Sequence, residues 1–275
     1  MTTGKLFTTL MGGLGNQLCT YLAALTIAKQ LDKQVVCSLE FLNAHSVEGT
    51  GITPRKYQLD QLAIPPETVE RIPSGVTDLG WEPSLKHLPP VVLGDCMVSG
   101  YFQALEWLPP WRECDEVIWG DGESDNWPTK LSISHTYGAI ALHVRRTDYV
   151  TNPSATAYHG VLPVEYYQRA VAKVWELDPN ISRDIAIYSD DVPWCKEHLA
   201  PKLEGEVYFP GEVNTNALHD LLDISLYPYI VMANSSFSWL AAYLGGDKKS
   251  VIYPLAWTTN GGPRAGMMKP EWIGL

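Results

Sequence analysis

Two periodicities alternate along this chain. Near the N-terminus Leu18, Leu22, Leu25 and Ala28 recur at helical spacing, and Lys29, Asp32 and Lys33 mark a polar end. Ahead of that helix stand an apolar run from Lys5 to Leu10 and the loop Met11-Gly12-Gly13-Leu14-Gly15-Asn16-Gln17. Behind it comes a second short apolar run, Val35 to Leu39. Strand, glycine loop, helix and strand make one βαβ unit. From about Asn43 to Pro110 the proline pairs 65–66, 89–90 and 109–110 break any regular pattern. One strand is placed at Val91 to Leu93 and another at Met97 to Phe102.

Beyond residue 138 the rhythm is regular. Apolar runs at Ala139–Val144, Asp184–Tyr188, Glu206–Phe209, Ile230–Ala233 and Ser250–Tyr253 read as strands. Helical patterns at Val164–Leu177, Val192–Leu199, Asn216–Leu226 and Phe237–Leu244 separate them. Strands alternating with helices predict a parallel sheet covered on both faces. The acidic, turn-rich stretch Gly120 to Pro128 is the best candidate for a linker, so two domains are expected, 1–130 and 131–275.

Composition narrows the function classes. The 275 residues suffice for one large domain or two modest ones, and 45% apolar with 19% charged residues is ordinary for a folded protein. A net charge of −11 argues against a nucleic-acid partner, which requires a basic surface. The five cysteines are scattered without a CxxC pair, so neither a zinc knuckle nor a disulfide framework is expected. No signal peptide is visible, and no window reaches the roughly 18 to 20 apolar residues of a membrane span. A soluble cytoplasmic chain is expected, with peripheral membrane association left open.

In an open parallel sheet ligands bind at the carboxyl ends of strands, and four polar signatures fall there. They are the glycine loop, His143-Val144-Arg145-Arg146-Thr147-Asp148, Ser189-Asp190-Asp191 and Asn234-Ser235-Ser236-Phe237-Ser238. In extended backbone Arg145 and Arg146 point to opposite faces, so one can enter a cleft while the other braces the scaffold. A guanidinium gives planar bidentate donation to phosphate, and His143 shares the side of Arg145. The alternative is an Arg146–Asp148 surface ion pair with Arg145 solvated. Ser235 and Ser236 open a helix, where one can cap and the other can reach an anion at the free N–H groups. Asp190 and Asp191 could hold a divalent cation or accept from a guanine edge, and Asp191 could simply cap the next helix.

Other patterns are weaker. The glycine loop has Leu18 where a dinucleotide fingerprint needs its third glycine, although Glu40 ends the next strand; no P-loop or GxSxG elbow occurs. Cys195 and His198 share a helix face without a second ligand pair. His45, His87, His135 and His159 read as surface or core residues.

Taken together these residues resemble the α-1,2-fucosyltransferases. The resemblance runs through Gly12–Gln17, His143–Val150, Leu162-Pro163-x-x-Tyr166-Tyr167, Tyr188–Lys196, Ala233–Trp239 and Pro270–Ile273. It implies a GT-B α/β fold of two facing Rossmann-like domains with parallel sheets, an acceptor-side N-terminal domain and a C-terminal domain binding GDP-fucose. It also implies inverting transfer of L-fucose to the 2-hydroxyl of galactose in an oligosaccharide, with no metal and no cofactor. By motif position Arg145 binds the diphosphate with Arg146 nearby, and His143 lies beside the nucleotide. Asp190 reads guanine, and Ser235, Ser236 and Phe237 sit at the phosphates, while Gly13 and Asn16 approach from the N-terminal domain. Asp148 serves as base or orients the arginines. Three departures from the family pattern are Thr147 for a commoner glycine, Leu240-Ala241 after Trp239, and Pro228-Tyr229 where a histidine is usual. The remaining readings are a nicotinamide-dependent Rossmann oxidoreductase and a non-catalytic glycan-binding protein using some of the ten tryptophans.

Overall fold

The computed structural model describes residues 4–46, 52–82, 84–85, 87–119, 139–212 and 216–275. The chain divides into two compact units, Met1–Ser124 and Asp125–Leu275. The expected linker at 120–128, the domain border at 130 and His135 all lie outside the described residues.

The first unit is a parallel sheet of five strands: β1 (Lys5–Thr9), β2 (Gln34–Ser38), β3 (Glu67–Val69), β4 (Thr77–Trp81) and β5 (Cys96–Ser99). They lie in the order β3-β2-β1-β5-β4, so the chain moves from β1 out to one edge, crosses to β4 at the other edge and returns to β5 beside β1. Helices α1 (Leu14–Leu31), α2 (Glu40–Ala44) and α3 (Trp111–Trp119) complete it. Helix α1 is buried on most of its circumference, with Leu18, Leu22 and Ile27 fully enclosed. It ends at Asp32, which adopts the left-handed conformation (φ 51°) and returns its N–H to Ala28 O.

The helix ends within the polar residues Lys29, Asp32 and Lys33, and of these Lys33 is buried: it is 6% exposed, and its Nζ donates to Val92 O at 2.8 Å and Gly94 O at 2.7 Å. The strand expected at Val91–Leu93 is absent: Val91 and Leu93 stand 71% and 85% exposed, and the Val92 carbonyl turns to Lys33. Strands β3 and β4 escape the hydrophobic pattern because they are edge strands with few buried side chains.

The second unit is a parallel sheet of six strands: β6 (Ile140–Val144), β7 (Asp184–Ser189), β8 (Glu206–Tyr208), β9 (Tyr229–Val231), β10 (Ser250–Tyr253) and β11 (Ile273–Gly274). Their order is β11-β10-β9-β6-β7-β8. All five residues of β6 are buried, as expected of a central strand. The helices are α4 (Thr147–Thr151), α5 (Pro153–His159), α6 (Val164–Leu177), α7 (Val192–Trp194), α8 (Ala217–Leu226) and α9 (Ser236–Leu244). The regular helix expected over Val192–Leu199 is instead α7 followed by a π turn at Cys195–Leu199 and a 3₁₀ turn at Ala200–Lys202. Pro193 stands in the first turn, where its missing N–H costs nothing, whereas Pro201 supplies no N–H to continue a regular ladder at the far end.

Both units are therefore parallel α/β layers, the fold class expected. All five cysteines are buried and free. Among the described residues no helix is long and apolar enough to cross a membrane.

Gln17 joins the glycine loop to a distant segment. It is fully buried; its Nε2 donates to Gly12 O at 2.9 Å and Lys56 O at 2.8 Å, and its Oε1 accepts from Gln58 N–H at 3.1 Å. Gln17→Ala leaves these backbone groups unpaired, so urea unfolding should show a loss of about 2–4 kcal/mol.

Candidate active site

Strands β6 and β7 pair in register, with Val144 opposite Ser189, so the residues that follow both strands emerge together. Asp190 dominates what happens there. Its carboxylate accepts the backbone N–H of Arg146 at 2.8 Å, that of Thr147 at 3.2 Å, and the Thr147 hydroxyl. These bonds satisfy donors at the opening of α4, whose N-cap residue Arg146 offers no side-chain cap of its own. The same carboxylate pairs with Arg145 Nη1 at 2.9 Å, while Arg145 Nη2 donates to Asp148 Oδ1 at 2.6 Å. Held from two directions, the Arg145 guanidinium keeps one orientation.

Arg146 has a different task. Its guanidinium carbon lies 3.7 Å from the centre of the Trp194 ring, and its Nε reaches Asp191 Oδ2 at 3.2 Å. Asp191 caps α7 through Trp194 N–H. Arg146 thus braces the scaffold against α7 while Arg145 is held by Asp148 and Asp190, although the backbone at Arg146 (φ −141°, ψ −57°) is not extended. The alternative of a solvated Arg145 does not hold: Arg145 bonds Asp148, while Arg146 pairs with Asp191.

Strand β9 contributes the third wall. Ser235 is extended (φ −141°, ψ 134°), and its Oγ accepts from Phe237 N–H at 3.3 Å, capping α9. Ser236, the first helical residue, is left half-buried without that duty. Phe237 stacks on His143 with ring centres 5.2 Å apart. His143 is 5% exposed, and its Nδ1 has no hydrogen-bond partner among the described residues. Burial pushes its pKa down to about 4; Asp190 opposes the shift and Arg145 adds to it. The imidazole is neutral at neutral pH, so it adds no charge beside Arg145.

A second layer escaped the sequence. The Tyr149 hydroxyl donates to Asn234 O at 3.1 Å, and Asn234 Nδ2 donates to His159 O at 2.9 Å and Trp257 O at 3.3 Å. The rings of Tyr149 and His159 lie parallel, 4.3 Å apart, and Arg145 rests 5.6 Å from the Tyr149 ring centre. His159, expected as an uninvolved core or surface residue, belongs to this layer.

His143, Arg145, Arg146, Asp148, Asp190, Ser235, Ser236 and Phe237 thus collect at one end of the second sheet. Gly13 and Asn16 lie in the first unit: Gly13 is the N-cap of α1 with open space around it, and Asn16 is in the first turn. Glu40, placed where a ribose-binding acid would stand, heads α2 and pairs with Arg71 at 3.0 Å. Among the described residues no group of three or more His, Cys, Asp or Glu is arranged to hold a metal ion.

Both units are parallel α/β layers, and the second carries a fixed guanidinium and a serine-capped helix start at one end of its sheet. Residues 129–275, more than half the chain, match the model of Glycosyl transferase family 11, and the chain belongs to that family. It is 28% identical to the O-antigen biosynthesis glycosyltransferase WbnK of Escherichia coli, over 98% of this chain and 100% of that protein. An alpha-1,2-colitosyltransferase of Escherichia coli is 32% identical over 43% of this chain and 41% of its own length. Galactoside alpha-(1,2)-fucosyltransferase 2 of Oryctolagus cuniculus is 28% identical over 50% of this chain and 39% of its own.

The state of His143 carries a pH signature. Between pH 6.5 and about 4 the unfolded chain takes up a proton that the native site refuses, so stability falls as pH drops through that window. The loss should approach the order of 3 kcal/mol at its lower end. Thermal midpoints measured from pH 7 to 4 should decline less steeply for His143→Phe than for the parent.

Proposed function

We propose that this chain transfers L-fucose from GDP-fucose to the 2-hydroxyl of a galactose in an oligosaccharide, with inversion and without a metal. The observation that carries the reading is Arg145, aimed by Asp148 and Asp190 at the end of β6. Family membership makes the reaction glycosyl transfer, and α-1,2 linkage is common to the names of two of the relatives described above.

The acceptor oxygen attacks C1 of fucose as the bond from C1 to the β-phosphate oxygen breaks, and negative charge grows on that phosphate. The N–H groups of Arg145 not engaged by carboxylates, the Ser236 hydroxyl and the first-turn N–H groups of α9 meet this charge. Arg145 and Arg146 stand among Asp148, Asp190 and Asp191, so the cluster has no excess of positive charge. Selectivity for a diphosphate then rests on direction and hydrogen bonding rather than on a diffuse basic field. Asp148 acts through Arg145 as a positioning residue, and a dissociating donor needs only weak deprotonation of the acceptor. The guanine-reading role expected of Asp190 is less well supported than a scaffolding one, because its carboxylate already serves the loop and Arg145. Five free, buried cysteines suit a reducing compartment, and we place the reaction in the cytoplasm.

Arg145→Ala should lower transfer from GDP-fucose to a galactoside by roughly 10²–10³ in turnover, measured in EDTA. The circular dichroism spectrum should stay parental. Arg145→Lys should recover little, because an ammonium cannot reproduce the planar fork. Near-parental turnover in the alanine variant would remove the basis of this reading.

A further inference from the structure

The first unit carries a built feature with no role in donor binding as described. Strands β1 and β5 are parallel neighbours, so the glycine loop after β1 and the turn after β5 emerge side by side at the carboxyl ends of the two strands. Between them Gln103 Nε2 donates to Asn16 Oδ1 at 2.8 Å.

The surrounding structure fixes both amides. Gly12 has φ +71°, and a Cβ there would fall 2.4 Å from Asn16 Nδ2, so the bare glycine lets the Asn16 side chain lie on the loop. In the turn after β5 Phe102, fully buried, holds φ +50°, a conformation that an aromatic residue rarely adopts. The turn is secured by Glu82, only 2% exposed, whose Oε2 accepts Phe102 N–H at 3.2 Å. Gly100 meets Glu82 so closely that a Cβ would lie 2.6 Å from Glu82 Cβ. From α1, Thr20 Oγ1 donates to Gly100 O at 3.2 Å and Cys19 Sγ to Phe102 O at 3.8 Å. One helix therefore carries Asn16 and also holds the turn that delivers Gln103. Backbone strain kept in place by so many partners is a mark of functional sites.

Asn16 and Gln103 are both half-buried and reachable. Each carboxamide offers a donor and an acceptor, which matches hydroxyl groups; a phosphate would face a carbonyl oxygen in the same place. We propose that Gln103, oriented with Asn16 by the strained turn at Phe102, binds a hydroxyl of the neutral acceptor sugar. The proposal rests on the transferase reading above and adds to it a residue that sets acceptor affinity.

The test uses the whole chain and Gln103→Met, which keeps the length of the side chain and removes its hydrogen bonds. Acceptor KM on a galactoside is measured at saturating GDP-fucose, and GDP-fucose Kd by calorimetry; thermal midpoints establish that the variant folds. Acceptor KM should rise about ten-fold while donor Kd stays within about two-fold of the parent. Gln103→Asn, which restores an amide one methylene shorter, should recover part of the loss. An unchanged acceptor KM, or a donor Kd that weakens in step with it, overturns the proposal and leaves the transferase reading standing. A parent chain that binds no GDP-fucose overturns both.

Discussion

The site depends on one carboxylate. Asp190 stands one residue beyond the end of β7, opposite the end of β6, and accepts the two backbone N–H groups that open α4. It fixes the path of the chain as it leaves the central strand, and through Arg145 Nη1 it fixes the side chain that the chemistry needs. An acid that ties two strand ends to one arginine converts sheet register into site geometry. Asp148 completes the restraint from the opposite side.

Charge balance explains why such restraint is needed. Near a surface two unit charges 4 Å apart interact by about 4 kcal/mol, so three acids close to two arginines cancel most of any long-range field. An anionic ligand is then recognised at short range, by guanidinium N–H groups and a helix start of fixed direction. A neutral His143 packed on Phe237 keeps further charge away from Arg145, while Tyr149 ties the strand-end arginine to Asn234, the residue just ahead of the serine-capped helix. The chain therefore remains strongly acidic overall and yet suits a nucleotide-sugar substrate.

Much of this was legible in the sequence because the informative residues sit at the ends of apolar runs. Five of the six strands of the second sheet and the extent of Val164–Leu177 follow from periodicity, whereas β11, only two residues long, leaves no pattern. What could not be read came from contacts distant along the chain. Tyr149 meets Asn234 across 85 positions and Gln103 meets Asn16 across 87, and neither pair has a local pattern. The segment Val91–Leu93, expected as a strand, likewise meets a distant partner, its Val92 carbonyl accepting from Lys33, 59 residues earlier. Edge strands β3 and β4 bury too little to leave a signature.

The central claim is that the end of the second sheet grips a diphosphate through oriented donors. Calorimetric titration of the chain with GDP, GMP and guanosine in EDTA addresses it most directly. The account predicts that GDP binds at least about 100-fold more tightly than guanosine, with GMP between them, since each charge-assisted phosphate contact contributes about 1.5–3 kcal/mol. Equal affinity for all three ligands would contradict it.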